Sequence, residues 1–188
     1  MKFYVMYGFP AENYALPGPE IEQFREICED GAIQLLDPRA MDIELDSAGG
    51  LEFPDLLWFG SGLQLVSSPL RSALLELGQT QIFFKPVNLI YPEFGINEPY
   101  WLMIPPRIDC LVWEKCAVKE NSDPLTPFWA RFAEAQNIVI DGAKTGRYGV
   151  FKLPYLTLNQ EIIADETVKR GLKKRNFTNL FFDELDRG

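Results

Sequence analysis

The stretch 63-LQLVSSPLRSALLELGQTQIFFKPV-87 contains a strand, a helix and a second strand with their boundaries marked. Leu63 to Val66 is a short apolar run. Ser67 or Ser68 can accept the first free N–H groups of a helix, and Pro69 fits its first turn. Leu70, Leu74 and Leu77 then mark one face. Gly78 suits the left-handed residue that ends a helix, and Gln81 to Val87 returns as a strand.

The tail repeats this arrangement. Glu161-Ile162-Ile163-Ala164 reads as a strand, Asp165 as a helix N-cap, Val168 and Leu172 as a buried stripe, and Asn179-Leu180-Phe181-Phe182 as a returning strand. A shift of 98 residues pairs Ser67 with Asp165, Leu70 with Val168, Leu74 with Leu172, and Ile82-Phe83-Phe84 with Leu180-Phe181-Phe182. The expected fold class is therefore α+β: a single domain, residues 1–188, with a mixed or antiparallel sheet and two similar strand–helix–strand modules at about 62–87 and 160–183.

Around these modules the chain is mostly strand. The N-terminal stretch from Met1 reads as a first strand rather than a signal peptide, because Gly8-Phe9-Pro10 stops its apolar run early. Pro19 opens a helix carrying Ile21, Phe24, Ile27 and Cys28 at helical spacing, ended by Gly31. Met41-Asp42-Ile43-Glu44-Leu45-Asp46 alternates as an edge strand with its carboxylates toward water. Residues 99–104 and 107–112 are expected strands, Glu114 to Asp123 a loop, and Thr126 onward a helix through Phe128, Trp129 and Phe132. Ile138 to Asp141 and Tyr148 to Leu153 are expected to pair across the Gly142–Gly146 turn. Trp58 and Trp101 sit in apolar runs and read as core, whereas Trp113 and Trp129 are flanked by polar residues.

Composition narrows the function. With 47% hydrophobic residues the chain should fold, and 188 residues suit one well-buried domain. Histidine is absent, which removes Ser-His-Asp and Cys-His nucleophiles and imidazole metal ligands. Cys28, Cys110 and Cys116 show no CxxC spacing and read as reduced core thiols of a cytoplasmic protein. Neither G-x-G-x-x-G nor a P-loop is present, so no cofactor is expected. No apolar stretch reaches membrane-spanning length.

The charge is concentrated. Between Glu20 and Asp55 stand Glu20, Glu22, Glu26, Glu29, Asp30, Asp37, Asp42, Glu44, Asp46, Glu52 and Asp55 against Arg25 and Arg39, which equals the whole formal charge of −9. Such a segment repels nucleic acid and attracts basic proteins. The basic run Lys169, Arg170, Lys173, Lys174 and Arg175 reads as the solvated face and last turns of the second helix.

The same residues carry a resemblance. Phe53-Pro54-Asp55-Leu56-Leu57, Val66-Ser67-Ser68-Pro69-Leu70-Arg71-Ser72-Ala73-Leu74 and Phe83-Phe84-Lys85-Pro86-Val87 are similar to a family of bacterial immunity proteins encoded beside polymorphic toxins. Tyr100-Trp101-Leu102, Asp109-Cys110, Val139-Ile140-Asp141, Phe151-Lys152-Leu153, Ile162-Ile163-Ala164-Asp165 and Phe181-Phe182-Asp183 follow in the same order. The resemblance covers roughly residues 50–185 and is least in the acidic N-terminal residues 1–49. Ala164-Asp165 stands where a Val-Ser pair is more typical, although Asp caps a helix as well as Ser.

The resemblance implies a non-enzymatic antitoxin whose partner is a cognate protein toxin, for example a basic nuclease domain. Asp42, Glu44, Asp46, Glu52 and Asp55 are the expected toxin-binding residues, and no catalytic or metal-binding residue is assigned. Two other readings remain: a scaffold or adaptor without a toxin partner, and a metal-assisted hydrolase using Asp42, Glu44 and Asp46 or Asp183, Glu184 and Asp186.

Overall fold

The computed structural model describes residues 1–18, 37–59, 63–120, 132–135, 137–154 and 161–185. The helix expected from Pro19 to Gly31, with Cys28, lies outside these residues, as does Trp129. Strand β1 (Phe3–Tyr7) is followed by β2 (Met41–Glu44), β3 (Leu56–Trp58), β4 (Gln64–Val66), helix α1 (Ser68–Glu76), β5 (Phe83–Tyr91) and β6 (Ile96–Ile104). Then come β7 (Val118–Glu120), β8 (Phe132–Ala135), β9 (Val150–Phe151), β10 (Ile162–Asp165), α2 (Glu166–Lys173) and β11 (Phe181–Glu184). The two main sheets have the orders β2-β5-β6-β4-β3 and β11-β1-β10-β9, and β7 pairs with β8 in a two-stranded sheet. Among the described strands, every pairing is antiparallel except that of β2 with β5.

Both helices start and stop as their sequences demand. The Ser67 hydroxyl accepts the Leu70 N–H at 3.3 Å, and Asp165 accepts the Val168 N–H at 2.8 Å. Gly78 closes the first helix at φ 81°, and Asn176, 98 residues on, stands after the second at φ 52°.

The repeat extends from sequence into topology. β4 and β5 flank β6 and are antiparallel to it; β10 and β11 flank β1 in the same way. Trp101 pairs with Val66 and Pro86, while Tyr4 pairs with Ala164 and Glu184, the residues 98 positions later. Met103 and Met6 are matched likewise, and both are buried. Each helix lays a cation over the matched ring: the Arg71 guanidinium is 4.0 Å from the Trp101 centroid and the Lys169 ammonium 3.3 Å from that of Tyr4. The middle strand of the first module follows its own unit in the chain. That of the second is supplied by the N-terminus.

Three apolar clusters are formed by the described residues. The central one joins both helices to one face of each sheet through Met6, Leu56, Val66, Leu70, Leu74, Met103, Val150, Ile162, Val168 and Leu172. On the outer face of the five-stranded sheet, Leu57, Leu65, Val87, Leu89 and Leu102 pack with Ala15, Ile43 and Leu45. On the outer face of the four-stranded sheet, Phe3, Phe151 and Ile163 pack with Cys110, Leu111 and Cys116. The modules are also tied reciprocally. Gln79 after α1 accepts the Gly149 N–H at 3.0 Å ahead of β9, and Thr178 after α2 accepts the Asp55 N–H at 2.9 Å ahead of β3.

Several expectations are corrected. Ile138 to Asp141 does not pair with Tyr148 to Leu153. The Val112 N–H bonds Val139 O at 2.9 Å and the Asp141 N–H bonds Cys110 O at 2.8 Å, while Val150 and Phe151 join β10. Tight turns at Asp141–Lys144 and Thr145–Tyr148 direct the chain onward, and beside β10 Val150 and Phe151 bury opposite faces in two clusters. Residues 107–112 make isolated bridges at Arg107 and Leu111 rather than a continuous strand. Residues 113–120 form a 3-10 turn and β7, and Phe132 begins β8 rather than ending a helix. Asn179 is left-handed at φ 54°, so the last strand starts at Phe181. Trp58, at the end of edge strand β3, is 42% exposed rather than core.

Candidate protein-binding surface

The acidic residues after Asp37 sit on a layer built from two chain segments. The Gly18 N–H bonds Glu44 O, the Asp46 N–H bonds Leu16 O and the Gly50 N–H bonds Tyr14 O, each at 2.8 Å. Gly50 is required by this close approach, since a Cβ there would lie 2.1 Å from the Asn13 oxygen. Alternation on β2 turns Ile43 inward and leaves Asp42 and Glu44 exposed.

The neighbours of these carboxylates are neutral donors. Asp42 accepts Asn88 Nδ2 at 2.8 Å, Asp46 accepts the Ala48 N–H at 2.8 Å within a turn, and Glu52 accepts Asn13 Nδ2 at 2.7 Å. Asp42, Glu44, Asp46 and Glu52 are all exposed. Asp55 differs. Its oxygens accept the Ser67 hydroxyl at 2.6 Å and the Thr178 N–H at 2.8 Å, tying one module to the other. Glu20, Glu22, Glu26, Glu29 and Asp30 lie outside the described residues.

At the entry to β2, Arg39 grips Asp37 through a 2.6 Å ion pair, and this hydrogen-bonded guanidinium draws the carboxyl down to about 2. The buried Lys85 ammonium donates to the carbonyls of Asp37 and Arg39, the latter at 3.0 Å, which anchors the layer to β5. Arg170 and Lys173 of α2, and Lys174 and Arg175 just after it, are exposed to solvent, with Arg175 paired to Glu76 at 2.7 Å.

Cys110 is buried, and desolvation, reinforced by Asp109, pushes its thiol up to about 12. It should not react with a disulfide reagent at about pH 8 until the protein unfolds, because the attacking species is the thiolate. Rapid labelling of native Cys110, read by mass spectrometry, would contradict this burial.

Among the described residues, no three Cys, Asp or Glu side chains converge as metal ligands would. No described helix is long and apolar enough to cross a membrane. The Imm11 immunity protein family model matches residues 12–187, nearly the entire chain, the acidic segment included. The chain belongs to the Imm11 immunity protein family. No curated protein matches it. Membership in Imm11 implies a cognate toxin as the partner.

A feature of this Imm11 protein that the sequence reading missed is an exposed aromatic group. Tyr7, Phe9 and Phe181 meet with ring centroids 4.9 to 5.9 Å apart, Phe9 being 52% and Phe181 43% exposed. The signal that could have revealed it is Asp183, which stands where the 98-residue shift puts Lys85.

Proposed function

We propose that this chain protects the cell that makes it by binding and neutralising the toxin of a polymorphic toxin system, as a cytoplasmic inhibitor without catalytic activity. The observation that supports the acidic contact is the outward display of Asp42, Glu44, Asp46 and Glu52 on one backbone-braced layer, with Asp42, Asp46 and Glu52 held by hydrogen bonds. Such a field steers a basic partner, a nuclease domain for example, and rigid carriers keep the ordering cost of binding low. Asp55 contributes by bracing the modules. In this reading residues 1–188 act as one unit, because β1 completes the C-terminal module.

The test is association with the toxin encoded beside this gene, using the triple variant Asp42→Asn, Glu44→Gln, Asp46→Asn. Association should slow by about tenfold or more at low salt and lose most of its salt dependence, because steering by exposed charge acts on the on-rate. Thermal stability should stay close to that of the parent. Unchanged association and unchanged protection of co-expressing cells would remove the acidic layer from the interface.

A further inference from the structure

The two modules differ at one matched place. In the first, Phe83 pairs with Ile104 on the outer face of the five-stranded sheet. Both pack into the outer cluster there, with Ile104 only 6% exposed. Two residues along, Lys85 is buried beneath residues 37–39, whose carbonyls it bonds, and this segment leads into β2 along the free side of β5.

The matched pair in the second module is Phe181 and Tyr7, and the residue matched to Lys85 is Asp183. Nothing among the described residues covers them as residues 37–45 cover the first module. Among the described strands β11 is the edge of its sheet, Phe181 is 43% exposed, and Asp183 is exposed with its carboxylate accepting the Tyr7 hydroxyl at 2.7 Å. The site is nevertheless held in shape. Buried Asn179 accepts the Phe9 N–H at 3.0 Å and donates to Phe9 O at 2.9 Å, fixing the third ring against the other two.

We infer that the β11 edge, with Tyr7, Phe9, Phe181 and Asp183, receives an extended cationic segment of a partner protein, in the place that residues 37–44 occupy on β5. An added strand takes the edge hydrogen bonds, and its side chains alternate between faces. On the ring face, an apolar residue covers the aromatic group and an arginine lies over a ring with its N–H groups on Asp183. The charge at the centre of the site is inverted relative to the first module. There a buried ammonium meets carbonyls; here a carboxylate meets a guanidinium. A second copy of this chain, carrying −9, is disfavoured as the occupant. The assignment of that segment to the toxin rests on the immunity reading; the chemistry of the site does not.

The experiment is a titration of the ¹⁵N-labelled full chain with the peptide acetyl-Thr-Val-Thr-Arg-Thr-Val-Thr-amide, whose valines and arginine share one face of a strand, and with its counterpart carrying glutamate in place of arginine, followed by NMR. The arginine peptide should shift the amides of residues 181–184 and the rings of Tyr7, Phe9 and Phe181, saturably. The glutamate peptide should not. Phe181→Ser or Asp183→Asn should weaken the arginine peptide about tenfold, D42N/E44Q should leave it unchanged at the β11 amides, and Asp183→Lys should transfer binding to the glutamate peptide. Shifts indifferent to peptide charge or to the Asp183 substitutions would overturn the proposal. So would concentration-dependent shifts of the patch in the protein alone, which would mark a second copy. The titration needs no toxin, so its failure leaves the immunity reading standing, and failure of that reading shows separately as unprotected co-expressing cells.

Discussion

Asn179→Ala should lower the unfolding free energy by about 3 to 5 kcal/mol, read as a fall in the urea midpoint. The side chain is 7% exposed, and its amide holds three backbone groups: the N–H and C=O of Phe9 and the carbonyl of Leu56, the last at 2.7 Å. Truncation orphans all three, at about 1 to 3 kcal/mol for each group that stays buried. The residue also sits at φ 54°, which alanine adopts less readily than asparagine. Asn179→Gly should regain about 1 kcal/mol of backbone strain without regaining the bonds. Asn179→Asp should be no better than alanine, since it sets a carboxylate against two carbonyls. A cost below about 1 kcal/mol for Asn179→Ala would mean that water replaces the amide and that Phe9 is not fixed by it.

Asn179 also illustrates where the sequence was legible. The two modules could be read because their helix boundaries have local chemical causes, Ser67 and Asp165 as caps, Gly78 as a stop, leucine and valine at helical spacing, whereas Asn179 itself was read as strand because its left-handed turn has no such local mark. The alternation around Ile43 was equally direct, and it places Asp42 and Glu44 in water. What could not be read depends on partners distant in the chain. No local pattern says that β1 lies between β10 and β11, or that Ile138 to Asp141 bonds to residues 110–112 rather than across its own turn. Asp55 looked like one more surface acid because the Ser67 and Thr178 donors that occupy it come from elsewhere. Trp58 looked like core because an apolar run does not reveal that its strand is an edge. The aromatic group escaped notice for the same reason, being assembled from two ends of the chain.

The matched leucines test whether the duplicated architecture is also one cooperative structure. Leu74→Ala and Leu172→Ala should each cost about 3 to 4 kcal/mol, because both side chains are completely buried in the central cluster and their removal leaves a cavity. If the modules were independent, Leu172→Ala would separate a weakened C-terminal transition from an unaffected one around α1. The ties between modules argue against that. β1 is N-terminal yet completes the C-terminal sheet, Gln79 bonds Gly149, and Asp55 bonds Thr178. Gly171 of α2 faces Leu77 so closely that a Cβ there would lie 2.6 Å from it. Either leucine variant should therefore unfold in one transition, at a lower midpoint and with an unchanged slope. Because both leucines line one cluster, the double variant should depart from the sum of the single effects by about 0.5 kcal/mol or more. Two resolved transitions in either single variant would show that sharing a core has not merged the modules into one unit.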